Sequence, residues 1–593
     1  MNEPFEDSRR LTGANLYFDG AGVALESARG IAFDVATLQR WRANIDRVRA
    51  ALGWAAGDVF VREHPSGVSL AFGAPIDQLY TAVEANEWAW HAALGLRAGD
   101  ARVAASDPPR PHVAHFNDDA AILQLHALAR AEAKPAMLSL IEAATARGVP
   151  AHADDDALSI GEGASSRTWP LDALSAADEV PWADLHAIPK AVVTGSNGKT
   201  TTVRLLAAML GEHGLRSGYS STDGLVIDGD NIDTGDYSGP VGARTVLRHP
   251  RVQAAVLETA RGGLLRRGLV VDDARVAVVT NVSADHFGEY GVHTLGDIAA
   301  VKLVVTKALA ADGVLVLNAD DAQLVQRADS LPVERMAWFA LDLATASRRS
   351  SLACGMRDGH LLLAVDGSEH DLGEVQAMPL TLGGSARYNI GNIAAAALAA
   401  WEFGVSPVDI AKVLARFGGN AGDNPGRLQR WILGDDARTV QVLLDYAHNP
   451  DGLRGLLQVA AGMRTGGRLG LILGQAGNRE DDDIRDLAQV ASEAQPDRIW
   501  LKDIAGDYLR GRARGEIAAI LFGALRSAGL PAASLPVCLD EADAAQEALR
   551  WARHGDLLVL PIHEPVARDA VVALLDRLHA SGWRAGDALP ERA

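Results

Sequence analysis

Short apolar runs alternate with amphipathic stretches along most of the chain, and this pattern predicts an α/β protein. The runs at residues 191–194, 254–258, 276–281 and 314–318 are each followed by a loop and a helical pattern. After a turn-rich break at 418–426, the alternation resumes with runs at 439–444, 469–473, 498–501 and 557–560. Strands that alternate with helices at this spacing form a parallel sheet covered on both faces. We therefore predict a central domain over residues 176–424 and a smaller Rossmann-like domain over residues 425–593.

Residues 1–175 show a mixed pattern that predicts an α+β domain. Two strand-like runs at 59–62 and 68–72 flank a turn, and residues 79–94 and 120–146 have helical periodicity. Residues 154–182 are rich in Ala, Ser, Asp and Pro, which predicts a linker or an irregular crossing. We expect this domain to serve in docking, substrate binding or oligomerisation.

Composition narrows the class of protein. The net charge of −20 argues against nucleic acid as a partner. The apolar runs are all far shorter than the roughly 20 residues that span a bilayer, and the polar start does not resemble a signal peptide. The two cysteines, Cys354 and Cys538, have no ligand spacing and fit a reducing compartment. We therefore expect a cytoplasmic protein without a membrane partner.

The stretch AVVTGSNGKTTTVRL at 191–205 is the strongest motif in the chain. An apolar strand leads into a glycine-rich turn whose N–H groups converge on an anion, and a helix with its positive dipole end follows. Lysine adds a charge beside the outer phosphates and threonine offers a hydroxyl to Mg²⁺. The alternative is a strand–helix turn without nucleotide. The pattern predicts ATP binding by Thr194, Gly195, Asn197, Gly198, Lys199, Thr200 and Thr201.

Polar residues at the ends of the neighbouring strands form a second group of candidates. Glu258 closes one strand and is placed to hold Mg²⁺, Asn281 closes the next, and His286 follows five residues later. Lys302 lies on a helix between apolar neighbours. Its side chain either lies along an apolar surface with the ammonium group in solvent, or it holds the ammonium group near a charged centre. Ligands of α/β sheets collect at strand carboxyl ends, which favours the functional interpretation.

Together these motifs resemble the Mur ligases, over residues 188–590. Within that superfamily the phrases at 236–250, 256–269, 281–295 and 509–516 are most similar to the carboxy-terminal, Mur-like half of the cyanophycin synthetases. The motifs that give the superfamily resemblance are TGSNGKTTT at 194–202, Glu258, Asn281, Asp285-His286, Lys302, residues 318–321, Asn389, Asn392, Gly426-Arg427 and DYAHNP at 445–450.

The resemblance implies an ATP- and Mg²⁺-dependent amide ligase that activates a carboxylate as an acyl phosphate and couples it to an amine. It gives catalytic roles to Lys199, Glu258, His286 and Lys302. The implied metal ligands are Thr200, Glu258, His286 and, if it is carbamylated, Lys302. Further nucleotide contacts are implied for Asn281, Asn389, Asn392, Arg427, Asp445 and His448, although Tyr388 stands where many relatives have histidine.

Two departures from the pattern bear on the substrates. The first 185 or so residues are too few for both an ATP-grasp domain and an extra amino-terminal domain, which precede the Mur-like half in a cyanophycin synthetase, so we expect one ligase site. Asn478 stands where the related loop is usually acidic, and the acidic run 481–483 suits either a guanidinium or solvent. The resemblance suggests arginine as the incoming amino acid and an aspartyl carboxylate as acceptor. Substrate contacts are expected from Arg261, Asn478, Arg479 and Arg512.

Other functions compatible with these residues remain open. One is a ligase resembling folylpolyglutamate synthase. Others are a nucleotidase or switch built on the phosphate loop, and a non-ligating nucleotide-binding partner of a separate ATP-grasp enzyme. The motif at 445–450 and the separate last domain argue against a simple switch. The resemblance also suggests a homo-oligomer, with a dimer as the expectation.

Overall fold

The structure is a computed structural model that describes residues 3–96, 112–285 and 287–590. Within these ranges no helix is both long and apolar enough to cross a membrane.

The amino-terminal region combines a four-stranded antiparallel sheet, order β1-β2-β4-β3, with helices and a separate three-stranded sheet. Trp41, Trp88 and Trp90 are buried in its core. The elements are β1 (Phe5–Leu11), β2 (Gly22–Ser27), α1 (Val35–Leu52), β3 (Val59–His64), β4 (Gly67–Gly73), α2 (Leu79–Ala93), α3 (Asp118–Glu132), α4 (Pro135–Thr145), β5 (Ala151–Ala153), β6 (Ala157–Ile160) and β7 (Arg167–Pro170).

The central region is built on an eleven-stranded sheet, with order β11-β10-β9-β12-β8-β13-β14-β15-β16-β17-β18. Its elements are β8 (Lys190–Thr194), α5 (Lys199–Glu212), β9 (Ser217–Ser221), β10 (Gly224–Ile227), β11 (Asp230–Thr234), α6 (Pro240–Arg248), β12 (Ala254–Glu258), α7 (Arg261–Arg267), β13 (Ala274–Val279), α8 (Leu295–Leu303), β14 (Leu309–Asn318), α9 (Ala322–Ala328), β15 (Arg335–Asp342), α10 (Leu343–Ser347), β16 (Leu352–Arg357), β17 (His360–Val365), β18 (Ser368–Glu374), α11 (Arg387–Glu402) and α12 (Pro407–Leu414).

The carboxy-terminal region has its own five-stranded sheet, order β19-β20-β23-β21-β22, in which only β19 is antiparallel to its neighbour. Its elements are β19 (Gln429–Leu433), β20 (Val440–Asp445), α13 (Pro450–Met463), β21 (Leu469–Leu473), α14 (Asp481–Glu493), β22 (Arg498–Leu501), α15 (Glu516–Ser527), α16 (Glu541–Trp551), β23 (Leu557–Pro561) and α17 (Pro565–Ala580).

The predicted α/β fold class is confirmed, and the structure adds detail that the apolar pattern did not contain. The seven middle strands of the large sheet, β9 to β16 in sheet order, are parallel, but antiparallel strands extend both edges. The expectation of a linker over 154–182 is wrong in part, because β6 and β7 lie there. Their short alternating runs are hidden by the turn-forming composition around them. The domain boundaries at 175/176 and 424/425 stay predictions.

Candidate active site

A cavity of about 650 Å³ opens between the central sheet and the carboxy-terminal region. The carboxyl ends of β8, β12 and β13 reach it from one side, and the loop that follows β20 reaches it from the other. This is where ligands of parallel α/β sheets collect. The cavity therefore brings together residues that are more than 200 positions apart in the sequence.

The phosphate loop adopts the conformation that its glycines allow. Gly195 has a φ of 148°, and a Cβ there would lie 1.8 Å from Thr280 Oγ1. Gly198 has a φ of 84°, and a Cβ there would lie 2.1 Å from Asn392 Oδ1. Both positions need glycine for backbone conformation and for space. Lys199 Nζ donates hydrogen bonds to the carbonyl oxygens of Gly195 and Ser196, at 3.1 and 3.2 Å.

Glu258 is a buried carboxylate, only 1% exposed, surrounded by hydroxyl groups. Thr200 Oγ1 donates to its Oε2 at 2.8 Å, and Thr222 Oγ1 donates to its Oε1 at 2.6 Å. In the part of the chain that the structure describes, Glu258 forms no ion pair. A buried charge needs compensation, and an all-oxygen donor set is the kind that Mg²⁺ prefers. Glu258, Thr200 and Thr222 therefore fit a magnesium ion.

Lys302 lies on the cavity wall near the end of α8 and is 3% exposed. Burial, together with the positive charge of Lys199, holds its pKa well below the usual range for lysine. Asp285 and Asp321 act in the opposite direction but are outweighed. The amine is therefore neutral over a wider pH range than a surface lysine, and a neutral amine is a nucleophile.

Two asparagine side chains hydrogen-bond the phosphate loop, and a third packs against it. Asn281 accepts from the backbone N–H of Asn197 at 2.9 Å and donates to the carbonyl oxygen of Asn197 at 3.0 Å. Asn392 donates to Asn389 Oδ1 at 3.0 Å beneath Gly198. Asn449 in the carboxy-terminal region donates to Asn197 Oδ1 at 3.0 Å. The position of the loop thus depends on both regions.

Asp223 ties the central and carboxy-terminal regions together. Its carboxylate receives Arg204 at 2.9 Å, Arg427 at 3.1 Å and Arg568 at 3.0 Å. Burial opposes its charge, but the three guanidinium groups outweigh that effect and lower its pKa. Arg427 also lies over the ring of Tyr446, 4.2 Å from the centroid. These contacts orient Arg427 at the cavity.

A buried charged cluster, formed by Lys502, Glu541 and His563, fixes the loop after β20. Lys502 Nζ pairs with Glu541 and donates to His563 Nδ1 at 2.9 Å, which leaves His563 Nε2–H to donate to the carbonyl oxygen of Ala447 at 3.1 Å. Burial and the charge of Lys502 lower the pKa of His563 to about 4. Neutral His563 thereby holds the loop that follows Asp445.

Charged and polar side chains from two regions meet at the far wall of the cavity. Arg261 pairs with Glu289, whose other oxygen accepts from Asn478 Nδ2 at 3.1 Å. Arg479 and His448 both face Asp285, at 3.1 and 3.5 Å. These contacts orient two guanidinium groups on the wall of the cavity.

Most of the predicted site residues line this one cavity, with three exceptions. Thr194 ends β8 and does not line it, and His286 lies outside the described residues. Arg512 lies behind the wall, where it donates to the carbonyl oxygens of Gly477 at 3.0 Å and Arg479 at 2.7 Å. In the acidic run, Asp481 pairs with Arg512 and Asp482 with Arg485.

Several residues that shape the cavity were missed by sequence reasoning. They are Arg204, Thr222, Asp223, Lys502, Glu541, His563 and Arg568. Arg204 interrupts the apolar face of α5, and Lys502 follows a buried strand directly, so both carried a weak signal. The others have no local pattern that separates them from ordinary loop and helix residues.

Comparison with known proteins assigns both large regions. Residues 193–400 match the family model of the Mur ligase middle domain, and residues 426–561 match that of the Mur ligase, glutamate ligase domain. Together the two matches cover more than half of the chain.

Curated relatives of two kinds match the chain. A cyanophycin synthetase of Crocosphaera subtropica is 36% identical over 395 residues, which are 66% of this chain and 44% of that protein. The chain thus spans less than half the length of such relatives. A UDP-N-acetylmuramoyl-L-alanyl-D-glutamate--2,6-diaminopimelate ligase of Xanthomonas oryzae pv. oryzae is 30% identical over 401 residues, 66% of this chain and 75% of that protein.

Among solved structures, a UDP-N-acetylmuramoylalanyl-D-glutamyl-2,6-diaminopimelate--D-alanyl-D-alanyl ligase from Acinetobacter baumannii aligns with a TM-score of 0.45. The identity is 18%, over 66% of this chain and 76% of that one. The assignment rests on the sequence matches, which agree in order and extent. The chain belongs to the Mur ligase family.

Proposed function

We propose that this protein is an ATP-dependent amide ligase that couples a carboxylate to an amino acid or another amine. The observation that carries the proposal is the composition of the cavity. A phosphate loop, a buried carboxylate with hydroxyl neighbours and a low-pKa lysine from one region face an arginine and an aspartate from the other. The family assignment and the two groups of ligase relatives support it.

The nucleotide is proposed to bind across the phosphate loop. Phosphoryl transfer depends chiefly on positioning and charge neutralisation, which fits a loop of N–H groups with Lys199 beside it. Arg427 and Asp445 approach from the carboxy-terminal region, and Asn389 and Asn392 support the loop from below. Thr200, Glu258 and Thr222 would hold Mg²⁺, which supplies neutralisation of phosphate charge.

Lys302 is proposed to act in one of two forms. A neutral amine combines with carbon dioxide to give a carbamate and one proton, which turns the lysine into a carboxylate and a ligand for a second metal ion. The low pKa of Lys302 favours this reaction, because only the neutral amine has the lone pair. In the other form, the protonated ammonium stabilises the acyl phosphate by charge.

Arg261 and Arg479 are proposed to face the carboxylate acceptor, because their ion pairs with Glu289 and Asp285 orient the guanidinium groups on the cavity wall. Arg512 is proposed to position the loop that carries Gly477 and Arg479, instead of touching substrate. The first substrates to test are arginine and aspartate-containing peptides, on the strength of the cyanophycin synthetase relatives. A cytoplasmic location and a homo-oligomeric state also belong to the proposal.

The test measures phosphate release from Mg-ATP across pairs of amines and carboxylate acceptors, with product mass by mass spectrometry. We expect release that needs both partners and a product lighter than their sum by one water. Lys199→Ala should abolish it while the fold persists. Phosphate release that needs neither partner, or release that continues in Lys199→Ala, would contradict the proposal.

A further inference from the structure

A second group of metal-ligating side chains lies in the amino-terminal region, away from the ligase cavity. Glu84, Glu87 and His91 occupy positions i, i+3 and i+7 of α2, which places them on one face of the helix. A short 3₁₀ helix, Val113–His115, packs against α2 and brings His112 beside the two carboxylates. The fold thus joins donors from two segments.

The distances within this group suit a small divalent ion. His112 Nδ1 lies 3.2 Å from Glu84 Oε1 and 3.7 Å from Glu87 Oε2. One donor atom from each of the three residues lies within 4.8 Å of the others. Zinc binds imidazole nitrogen and carboxylate oxygen at about 2.0–2.2 Å, so its tetrahedral ligands stand about 3.3–3.6 Å apart. The three donors therefore need little movement to share one ion.

The two carboxylates of the group have a histidine beside them and no lysine or arginine partner in the described ranges. Glu87 is 6% exposed, and one of its carboxylate oxygens lies 3.7 Å from His112 Nδ1. Across the described ranges, neither Glu84 nor Glu87 pairs with a lysine or an arginine. Two carboxylates held together in a partly buried position repel each other unless one takes up a proton or a cation lies between them. A divalent ion would remove both the repulsion and the cost of burial.

Further donors surround these three residues. His91 Nδ1 donates to the carbonyl oxygen of Glu87 at 2.9 Å, because a carbonyl only accepts, and its Nε2 lies 3.1 Å from Glu3 Oε2. His115 Nε2 lies 4.0 Å from Glu3 Oε1. These contacts place two further imidazole rings and one further carboxylate near α2.

We propose that Glu84, Glu87 and His112 bind a divalent transition-metal ion, with Zn²⁺ the best match to one imidazole and two carboxylate donors. This N-terminal metal site does not depend on the proposed ligase activity. Its residues do not line the cavity between the central and carboxy-terminal regions.

The test uses the full chain without a polyhistidine tag, stripped with a chelator. Zn²⁺ content is measured after dialysis, and Co²⁺ is titrated while its visible absorption is recorded. Both are repeated in Glu258→Gln, which weakens metal binding in the ligase cavity. We expect about one ion per chain in that background, and a loss of affinity of about tenfold or more on adding His112→Ala or Glu87→Gln.

Two substitutions in the same region serve as matched controls. His126→Ala and Glu142→Gln replace exposed residues on α3 and α4 that lie outside the group, and both should keep the ion. The His112 side chain is 59% exposed, so His112→Ala should leave thermal unfolding of the metal-free chain unchanged. Absence of stoichiometric Zn²⁺ or Co²⁺ in the Glu258→Gln background would overturn the proposal. So would an affinity that survives both substitutions.

Discussion

Two lysines with nearly equal burial have opposite surroundings. Lys302 is 3% exposed and Lys502 is fully buried, and burial lowers the pKa of both. Lys502 is paired with Glu541 and hydrogen-bonded to His563, so a carboxylate compensates its positive charge. Lys302 Nζ has no hydrogen-bond partner in the described part of the chain, and after burial the largest effect on its pKa comes from another cation, Lys199.

The difference separates a structural lysine from a candidate catalytic one. Burial alone does not distinguish these two roles, because a lysine in a buried ion pair and a buried reactive lysine are equally hidden from solvent. The neighbouring groups decide which protonation state is favoured, since a carboxylate contact stabilises the charged lysine and a neighbouring cation destabilises it. Lys502 therefore belongs to the cluster that fixes a loop, and Lys302 stays a candidate for catalysis.

The largest effect is expected from removing Lys302. Lys302→Ala should lower ligation by about 100- to 1,000-fold, because a group that stabilises developing charge is lost. If the carbamate form is correct, added acetate or another short carboxylate should restore part of the activity. Lys302→Met should leave the urea midpoint unchanged or raised, since a buried amine without a partner is removed. Unchanged turnover in Lys302→Ala would show that Lys302 has no part in catalysis.

Removing Lys502 should act on stability instead. Lys502→Met leaves Glu541 buried without its cation, which costs about 3–5 kcal/mol. Thermal unfolding followed by calorimetry should show the loss in the transition of the carboxy-terminal region. Adding Glu541→Gln should recover part of it, because the uncompensated charge is then gone. A loss below about 1 kcal/mol would mean that the pair contributes little.

The pH dependence of stability should also distinguish the two sites. Burial and the charge of Lys502 hold the pKa of His563 at about 4 in the folded chain, below the value of about 6.5 that is usual for histidine, so the unfolded chain takes up the proton first as pH falls. Stability should therefore decline between about pH 6.5 and 4, by on the order of 3 kcal/mol. His563→Gln should remove this decline, and Lys302→Met should retain it. The measurement is the unfolding midpoint across that range of pH.

The smallest effect is expected from the supply of carbon dioxide. Degassed, bicarbonate-free buffer should lower the activity of the wild-type enzyme several-fold, and bicarbonate should restore it, if Lys302 carries a carbamate. The Lys302→Ala variant supplemented with acetate should not respond, because its carboxylate is external. Wild-type activity indifferent to bicarbonate would favour the ammonium form.

Local pattern was enough to predict the parts of the site that lie next to one another in sequence. The phosphate loop, Glu258 and Lys302 belong to short motifs in which strand, turn and helix signals coincide. The ends of β12, β21 and β22 agree with the predicted runs to the residue. Asn281 is two residues past the end of β13 instead of closing it, because strand ends depend on hydrogen-bond partners that local sequence does not reveal.

The sequence by itself determined the fold class, the phosphate loop and the family resemblance. Apolar periodicity, glycine positions and motif order are all local properties. Only the tertiary structure decided which charges meet. It brought Asp223 to three arginines from positions 204, 427 and 568, and it placed Lys502 beside Glu541. It also placed Lys302 where the charge of Lys199 lowers its pKa. The pKa of a buried group depends on neighbours in space, and that information is absent until the chain is folded.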